Sequence, residues 1–246
     1  MTTALITGCS SGYGRETALY LHAMGWDVVA TMRNPRADLF PASDRLRLVA
    51  LDVTRPDSIA AALEAAGPID VLVNNAGIGL MGAFEATPLE TVREIFETNT
   101  FGVMAMTQAV LPAFRERGSG VIVNVTSTVT LAPMPLVAAY TASKTAVQGF
   151  TASLQHELGA LGVRVKLVEP GYGPSTRFTE NSGDRMDGLI PEPYAPFAQT
   201  VFAGFQPEEV TVPADVAEAV WRAANDTSRR LSFPAGPDDV ALVRAD

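Results

Sequence analysis

Short apolar runs alternate with longer amphipathic stretches along almost the whole chain, and few folds accommodate that pattern. The runs are Thr3–Thr7, Asp27–Thr31, Leu46–Ala50, Ile69–Val73, Gly120–Thr126, Val163–Val168 and Arg230–Phe233. Apolar at most positions, they suit strands buried on both faces, as in a parallel sheet. Between them the spacing predicts helices at about Tyr13–Met24, Pro56–Ala65, Thr87–Arg117 with a break, Ala138–Leu161 and Pro213–Ala224. Pro56 and Pro213 stand where a first helical turn tolerates proline. Repeated βαβ units of this kind predict an α/β fold, a doubly wound parallel sheet of seven strands with helices on both faces. The 246 residues contain neither an internal repeat nor a low-complexity linker, so one domain over residues 1–246 is expected.

The stretch Gly171–Gln206 breaks the alternation. It is interrupted by Pro and Gly and carries Tyr172, Phe178, Met186, Leu189, Ile190, Tyr194, Phe197, Phe202 and Phe205. An apolar insertion of this length before the last helix reads as a substrate lid. An apolar surface between subunits is the alternative.

Charge and composition exclude several classes of function. With 18 basic against 27 acidic residues the net charge is −9, the wrong sign for nucleic acid or an acidic membrane. No apolar stretch approaches the ~20 residues that span a bilayer. The first strand begins at Thr3 with no targeting segment before it, which makes the cytoplasm the expected location. Cys9 is the single cysteine, and His22 and His156 lie far apart, so neither a disulfide framework nor a metal site is expected.

On a doubly wound sheet, ligands bind outside the carboxyl ends of the strands. The first such end reads Thr7-Gly8-Cys9-Ser10-Ser11-Gly12-Tyr13-Gly14 and runs into a helix. Glycines at 8, 12 and 14 let the backbone turn tightly and approach a pyrophosphate at the helix N-terminus, where free N–H groups and the helix dipole stabilise the anion. Cys9 is expected to fill core space, and Tyr13 to pack on the cofactor or the sheet. The second strand ends Thr31-Met32-Arg33. A carboxylate there would grip ribose hydroxyls and repel a 2′-phosphate, whereas the Arg33 guanidinium can bind that phosphate in a fork. This predicts NADP(H) over NAD(H), unless Arg33 is only a solvated surface charge.

Tyr140 and Lys144 are four residues apart on a predicted helix and so share one face. An ammonium ~4 Å from a phenol contributes about 4 kcal/mol at an effective dielectric of ~20, before desolvation is subtracted. The phenol of Tyr140 is therefore expected to be acidified into a general acid/base near neutral pH. Of 18 basic residues only Lys144 and Lys166 are lysine, which points to a need for a primary amine, chance survival of two being the alternative. Ser127, at the end of the fifth strand, can hold a substrate oxygen beside Tyr140. Taken alone, the Tyr/Lys pair also fits a tyrosine on a helix surface. A serine nucleophile is disfavoured because no histidine lies near these motifs.

Assembled, these residues resemble the short-chain dehydrogenase/reductase family over essentially the full chain. The motifs are Thr7–Gly14 as TGxxxGxG, Asn74-Asn75-Ala76-Gly77, Asn99, Ser127, Tyr140-x-x-x-Lys144 and Pro170-Gly171, in order and at the family's spacing. The resemblance implies a Rossmann-type fold in which Tyr140 is the general acid/base and Ser127 polarises the substrate carbonyl. It implies that Lys144 lowers the tyrosine pKa and binds the nicotinamide ribose, and that Asn99, at a helix break, holds a water relaying protons from Lys144. It further places Asp52 and Val53 against the adenine and Asn75, Ala76 and Gly77 under the cofactor ribose. With Gly8, Ser10, Ser11, Gly12, Tyr13, Gly14, Arg33, Pro170, Gly171 and Ser175, these complete the expected cofactor contacts. Family members commonly form dimers or tetramers through their long helices, so a homodimer or homotetramer is implied.

Two departures stand out. Thr128-Val129-Thr130 follow Ser127 where many members have a glycine, and Gly173 and Ser175 occupy the places of a β-branched residue and a threonine, with Pro174 between them. The expected function is NADP(H)-dependent interconversion of a ketone or aldehyde with an alcohol, on an apolar or bulky small molecule. A turnover-free NADP(H) sensor is the rival from another class. Enoyl reduction, epimerisation or dehydration on the same scaffold is a third reading.

Overall fold

The structure, a computed structural model, describes residues 1–176, 182–205, 207 and 209–237. Seven strands form one parallel sheet: β1 (Thr3–Ile6), β2 (Asp27–Met32), β3 (Leu46–Ala50), β4 (Val71–Asn74), β5 (Gly120–Val125), β6 (Val163–Pro170) and β7 (Ser232–Ala235). Their order is β3-β2-β1-β4-β5-β6-β7. The direction of winding reverses between β1 and β4, which pair from Ala4↔Val71 to Ile6↔Val73. A crevice outside the carboxyl ends of those two strands follows from that reversal.

Strand periodicity divides the core. Ala4, Ile6, Val71, Val73, Val121 and Val123 face α1 (Gly12–Ala23) and α8 (Pro213–Asn225), packing with Ala18, Leu21, Val216 and Val220. Their neighbours Leu5, Leu72 and Ile122 face the other way. They pack with residues of α2 (Pro56–Ala66), α4 (Gly102–Arg117) and α5 (Ala138–Leu158), among them Ile59, Met106, Phe114 and Leu154. Each fully buried Val, Leu, Ile, Met or Phe among them contributes about 1.5–3 kcal/mol relative to exposure. A buried polar chain crosses the second layer. Asn74 Nδ2 donates to Asn124 Oδ1 at 2.8 Å, and Asn124 Nδ2 donates to Thr151 Oγ1 at 2.9 Å.

The expected break in Thr87–Arg117 is a π-helical turn, Glu97–Phe101, between α3 (Leu89–Phe96) and α4. Strand β7 starts two residues later than its apolar run suggests. Lys166 Nζ takes the carbonyls of Ser228 and Arg230, at 2.8 and 2.7 Å, into a loop instead. Within the irregular 171–206 stretch lie α6 (Gly183–Met186) and α7 (Ala195–Gly204). Gln199 and Thr200 are the only polar side chains of α7, so it carries no amphipathic period to read. Phe178 lies outside the described residues. Among the described residues no helix is long and apolar enough to cross a membrane.

Candidate active site

At the reversal point two loops are locked together. The Thr7 hydroxyl accepts from the amides of Asn75 and Ala76 at 3.0 and 2.9 Å, and Asn75 Nδ2 donates back to the Thr7 carbonyl at 2.9 Å. Gly8, at φ +75°, packs so closely that a Cβ would stand 2.8 Å from Ala76 Cα. Gly12 also has positive φ, +54°, and opens α1. Ser11 precedes α1 in an extended conformation without capping it through its side chain. The first amides of α1 therefore remain available to an anion beside the cleft. Gly14 is buried against Asn75 and the Gly8 carbonyl, so its role is close approach of backbone.

The resulting cleft has a volume of about 1080 Å³. That exceeds a typical single small-molecule site of ~300–1000 Å³ and suits a dinucleotide with a second molecule. Gly8, Ser10, Ser11, Gly12, Tyr13, Arg33, Asp52, Val53, Asn75, Ala76, Gly77, Ser127, Tyr140, Lys144, Pro170 and Gly171 all line it. Three nominated residues do not: Gly14, Asn99 and Ser175. Thr176 lines the cleft in place of Ser175, and its Oγ1 donates to the Gly173 carbonyl at 2.8 Å. The turn that bonds the Thr176 amide and hydroxyl to the Gly173 carbonyl presents Thr176 to the cleft, which spacing alone does not reveal. The Tyr13 hydroxyl reaches within 3.5 Å of the Gly171 carbonyl, closing the loop over the cradle.

Arg33 is exposed at the cleft edge, directly after β2. Asp52 sits nearby but is committed locally, its Oδ1 accepting from the Thr54 amide at 3.0 Å and hydroxyl at 2.7 Å. Partial burial pushes the Asp52 carboxyl up. The Thr54 hydrogen bonds, with the charges of Arg33 and Arg55, outweigh burial and hold it below its usual value. Val53 packs against Gly102, where a Cβ would come within 2.8 Å of its Cγ2. Cys9 fills core space as expected, and burial pushes its thiol up to about 12.

On the floor of the cleft the Ser127 and Tyr140 side chains are hydrogen-bonded to each other. Ser127 caps a short 3-10 turn, Thr128–Thr130, formed by the residues that replace the family's glycine. Lys144 is buried and its Nζ donates to the Val125 carbonyl at 3.0 Å. Gly77 lies against both Asn99 and that ammonium, since a Cβ there would stand 3.3 Å from Asn99 Oδ1 and 3.4 Å from Lys144 Nζ. The expected acidification of Tyr140 is not found. Burial pushes its phenol up to about 12, opposed only by the bond with Ser127, and burial brings Lys144 down to about 8. Spacing places both groups on one helix face, but burial sets the direction of both shifts.

Asn99 is fully buried on the π-helical turn. Its Oδ1 accepts from the Ile78 amide at 2.8 Å, while Nδ2 donates to the Ile78 carbonyl at 2.9 Å and to Ser143 Oγ at 3.2 Å. Ser143 in turn donates to the Tyr140 carbonyl at 2.7 Å. Asn99 thus ties the loop after Gly77 to α5. Sequence reasoning named Thr7 only as the first letter of the glycine motif and missed Ser143, whose available signal was its adjacency to Lys144. Among the described residues no group of three or more His, Cys, Asp or Glu could hold a metal ion.

Comparison with known proteins agrees with this geometry. Residues 2–187 match the family described as short chain dehydrogenase. An uncharacterized oxidoreductase of Bacillus subtilis, YusZ, is 36% identical over 95% of this chain and 88% of its own. Retinol dehydrogenase 8 of Bos taurus is 40% identical over 69% of this chain and 58% of its own. The closed form of a serine dehydrogenase complexed with NADP+ superposes with a TM-score of 0.80 at 30% identity, covering 96% of this chain and 95% of that one. With its seven-stranded sheet, its cradle and its residues 2–187 all of this type, the chain belongs to the short-chain dehydrogenase family of oxidoreductases, which use NAD(P)(H).

Proposed function

We propose that the protein is an NADP(H)-dependent oxidoreductase that interconverts a ketone or aldehyde with the corresponding alcohol, on an apolar or bulky substrate. The observation that carries this reading is the hydrogen-bonded Ser127–Tyr140 hydroxyl pair on the floor of a cleft that begins at the glycine cradle. When bound, the nicotinamide supplies or accepts the hydride. The chain's own residues manage the proton. With its phenol raised to about 12, Tyr140 is protonated at neutral pH, the form that donates to a carbonyl oxygen as the carbinol forms. Ser127 donates to the same oxygen and holds it in line. In the reverse direction Tyr140 takes the hydroxyl proton. The Lys144 ammonium stabilises the phenolate left after each donation.

Arg33 supports NADP(H), being an exposed guanidinium at the end of β2 where a carboxylate would select NAD(H). Leu80, Met81, Met134, Val137, Val201 and Phe202 give the cleft an apolar wall that supports an apolar or bulky substrate. Residues 182–205 supply part of that wall and act as its lid. A homodimer or homotetramer completes the reading, on family resemblance.

The test is Tyr140→Phe assayed with NADPH and a panel of bulky ketones. Turnover is expected to fall by about 10²-fold or more with NADPH affinity nearly unchanged. Undiminished reduction by this variant refutes the assignment.

A further inference from the structure

Two backbone segments wall the apolar part of the cleft, and both hang from one short stretch of chain. Gly82 N donates to the Leu136 carbonyl at 2.7 Å, and the next amide, Ala83 N, donates to the Leu189 carbonyl at 2.8 Å. Leu136 lies between Pro135 and Val137, which line the cleft; Leu189 lies three residues after Met186, which also lines it. Consecutive amides of an extended chain point in opposite directions, so one dipeptide can hold two segments apart at a fixed spacing.

Both attachments are tight. Leu136 is the one non-glycine residue with positive φ, +64°, among the described residues, a conformation that persists only where surrounding contacts impose it. Gly82 has no space for a side chain. A Cβ there would run into the Leu189 side chain, with Cδ1 at 3.1 Å and the carbonyl oxygen at 3.2 Å. Leu189 is itself buried, in the same apolar cluster as Val137 and Tyr140. A shift of Leu189 is therefore transmitted to the cluster that seats the phenol. Gly82 does not line the large cleft and touches no reacting group.

We propose that Gly82 is a specificity-positioning residue: its amide fixes the Leu136 loop and its bare Cα seats Leu189, so the width of the substrate pocket is set at this one position. The inference rests on the reading that the apolar part of the cleft receives the substrate. It predicts that the chain discriminates by the bulk of the group attached to the carbonyl, through a residue outside the pocket.

The experiment compares wild type, Gly82→Ala and Leu136→Gly, each as the full chain, by amide hydrogen exchange and by kinetics with NADPH on one bulky aryl ketone and one small aliphatic ketone. Gly82→Ala is expected to speed exchange in both 134–137 and 186–189 while leaving 8–14 at the wild-type rate. It should raise KM for the bulky ketone by about tenfold, with kcat/KM for the small one within about twofold. Leu136→Gly relieves the strained φ, loosens the backbone and deletes the side chain at one wall only. It should speed exchange in 134–137 and spare 186–189, so the proposal remains testable if Gly82→Ala does not fold. Exchange that changes at neither wall, or that rises equally in 8–14, overturns the proposal, as does an unaltered KM ratio between the two ketones. If the wild type binds NADPH but reduces neither ketone, the carbonyl-reductase reading falls. The paired exchange pattern then decides for or against Gly82 as the joint.

Discussion

Lys144 Nζ donates to the carbonyl of Val125 at 3.0 Å, so the helix that carries Tyr140 is fastened to the end of β5 through a buried ammonium. Burial brings that ammonium down from 10.5 to about 8, within reach of ordinary assay conditions. Carbonyl reduction is expected to hold near neutrality and fall as pH rises through about 8, where Lys144 loses the charge that stabilises the phenolate. A pH profile of kcat/KM checks this, and a flat profile from pH 7 to 10 refutes it.

That loss is separable from unfolding by its sign. The Lys144 pKa is depressed on folding, so from about 8 to 10.5 the unfolded chain binds more protons and this group makes stability rise with pH. Tyr140 and Cys9 act oppositely. Both are raised to about 12, from 10.0 and 9.0, so their contribution is full below those values and is lost as pH climbs toward 12. Thermal melts should therefore show alkaline destabilisation beginning above the pH at which reduction declines.

Arg33 stands exposed at the end of β2, and its visible electrostatic partner, Asp52, already accepts two hydrogen bonds from Thr54. A guanidinium–phosphate contact is worth about 1.5–3 kcal/mol. Arg33→Asp is thus expected to weaken NADPH binding by roughly ten- to a hundredfold while sparing NADH. Fluorescence titration with the two nucleotides reads the ratio directly. An unmoved ratio would assign 2′-phosphate recognition elsewhere.

Lys166, the second of the two lysines, is a structural clamp. Its buried Nζ donates to Asp226 Oδ1 at 2.8 Å and to the carbonyls of Ser228 and Arg230. Three donors radiating from one small nitrogen fit this pocket, and a planar guanidinium does not. Lys166→Met should cost about 3 kcal/mol of stability, because it leaves these acceptors without their donor. Denaturant melts measure the loss, and NADPH affinity should not follow it. The same contact holds the Asp226 carboxyl down at about 2 from 3.8. Its contribution is present above 3.8 and is lost as pH falls through about 2.

Much of this was legible in the residues. Strands β1, β2, β4, β5 and β6 stand out as apolar runs because a parallel sheet covered on both faces leaves them no polar face, whereas β3 is partly exposed and β7 starts two residues past Arg230. Gly8, Ser127, Tyr140 and Lys144 carry their chemistry in their spacing, and all four line one cleft. The sign of the Tyr140 shift was not legible, since it depends on the water the fold excludes, which no spacing encodes. Nor was the place of Thr176 on the cleft wall in Ser175's stead, because it is set by the local turn onto the Gly173 carbonyl. The joint at Gly82 was hidden for a different reason. It joins residues 54 and 107 positions further along the chain, and the glycine is needed only for what meets it there.

The π-helical turn at Glu97–Phe101 has a consequence for how the α3–α4 rod is read. An α-helix advances ~100° per residue, so one surplus residue rotates everything beyond it by that angle. Glu90, Arg93, Glu94 and Glu97 form a charged stripe beside the cleft, while Met106, Val110 and Phe114 of α4 lie in the core. The rod thus carries a charged edge toward the cleft and an apolar edge toward the sheet, and Asn99 on the surplus turn is the rivet that pins it to the backbone of Ile78.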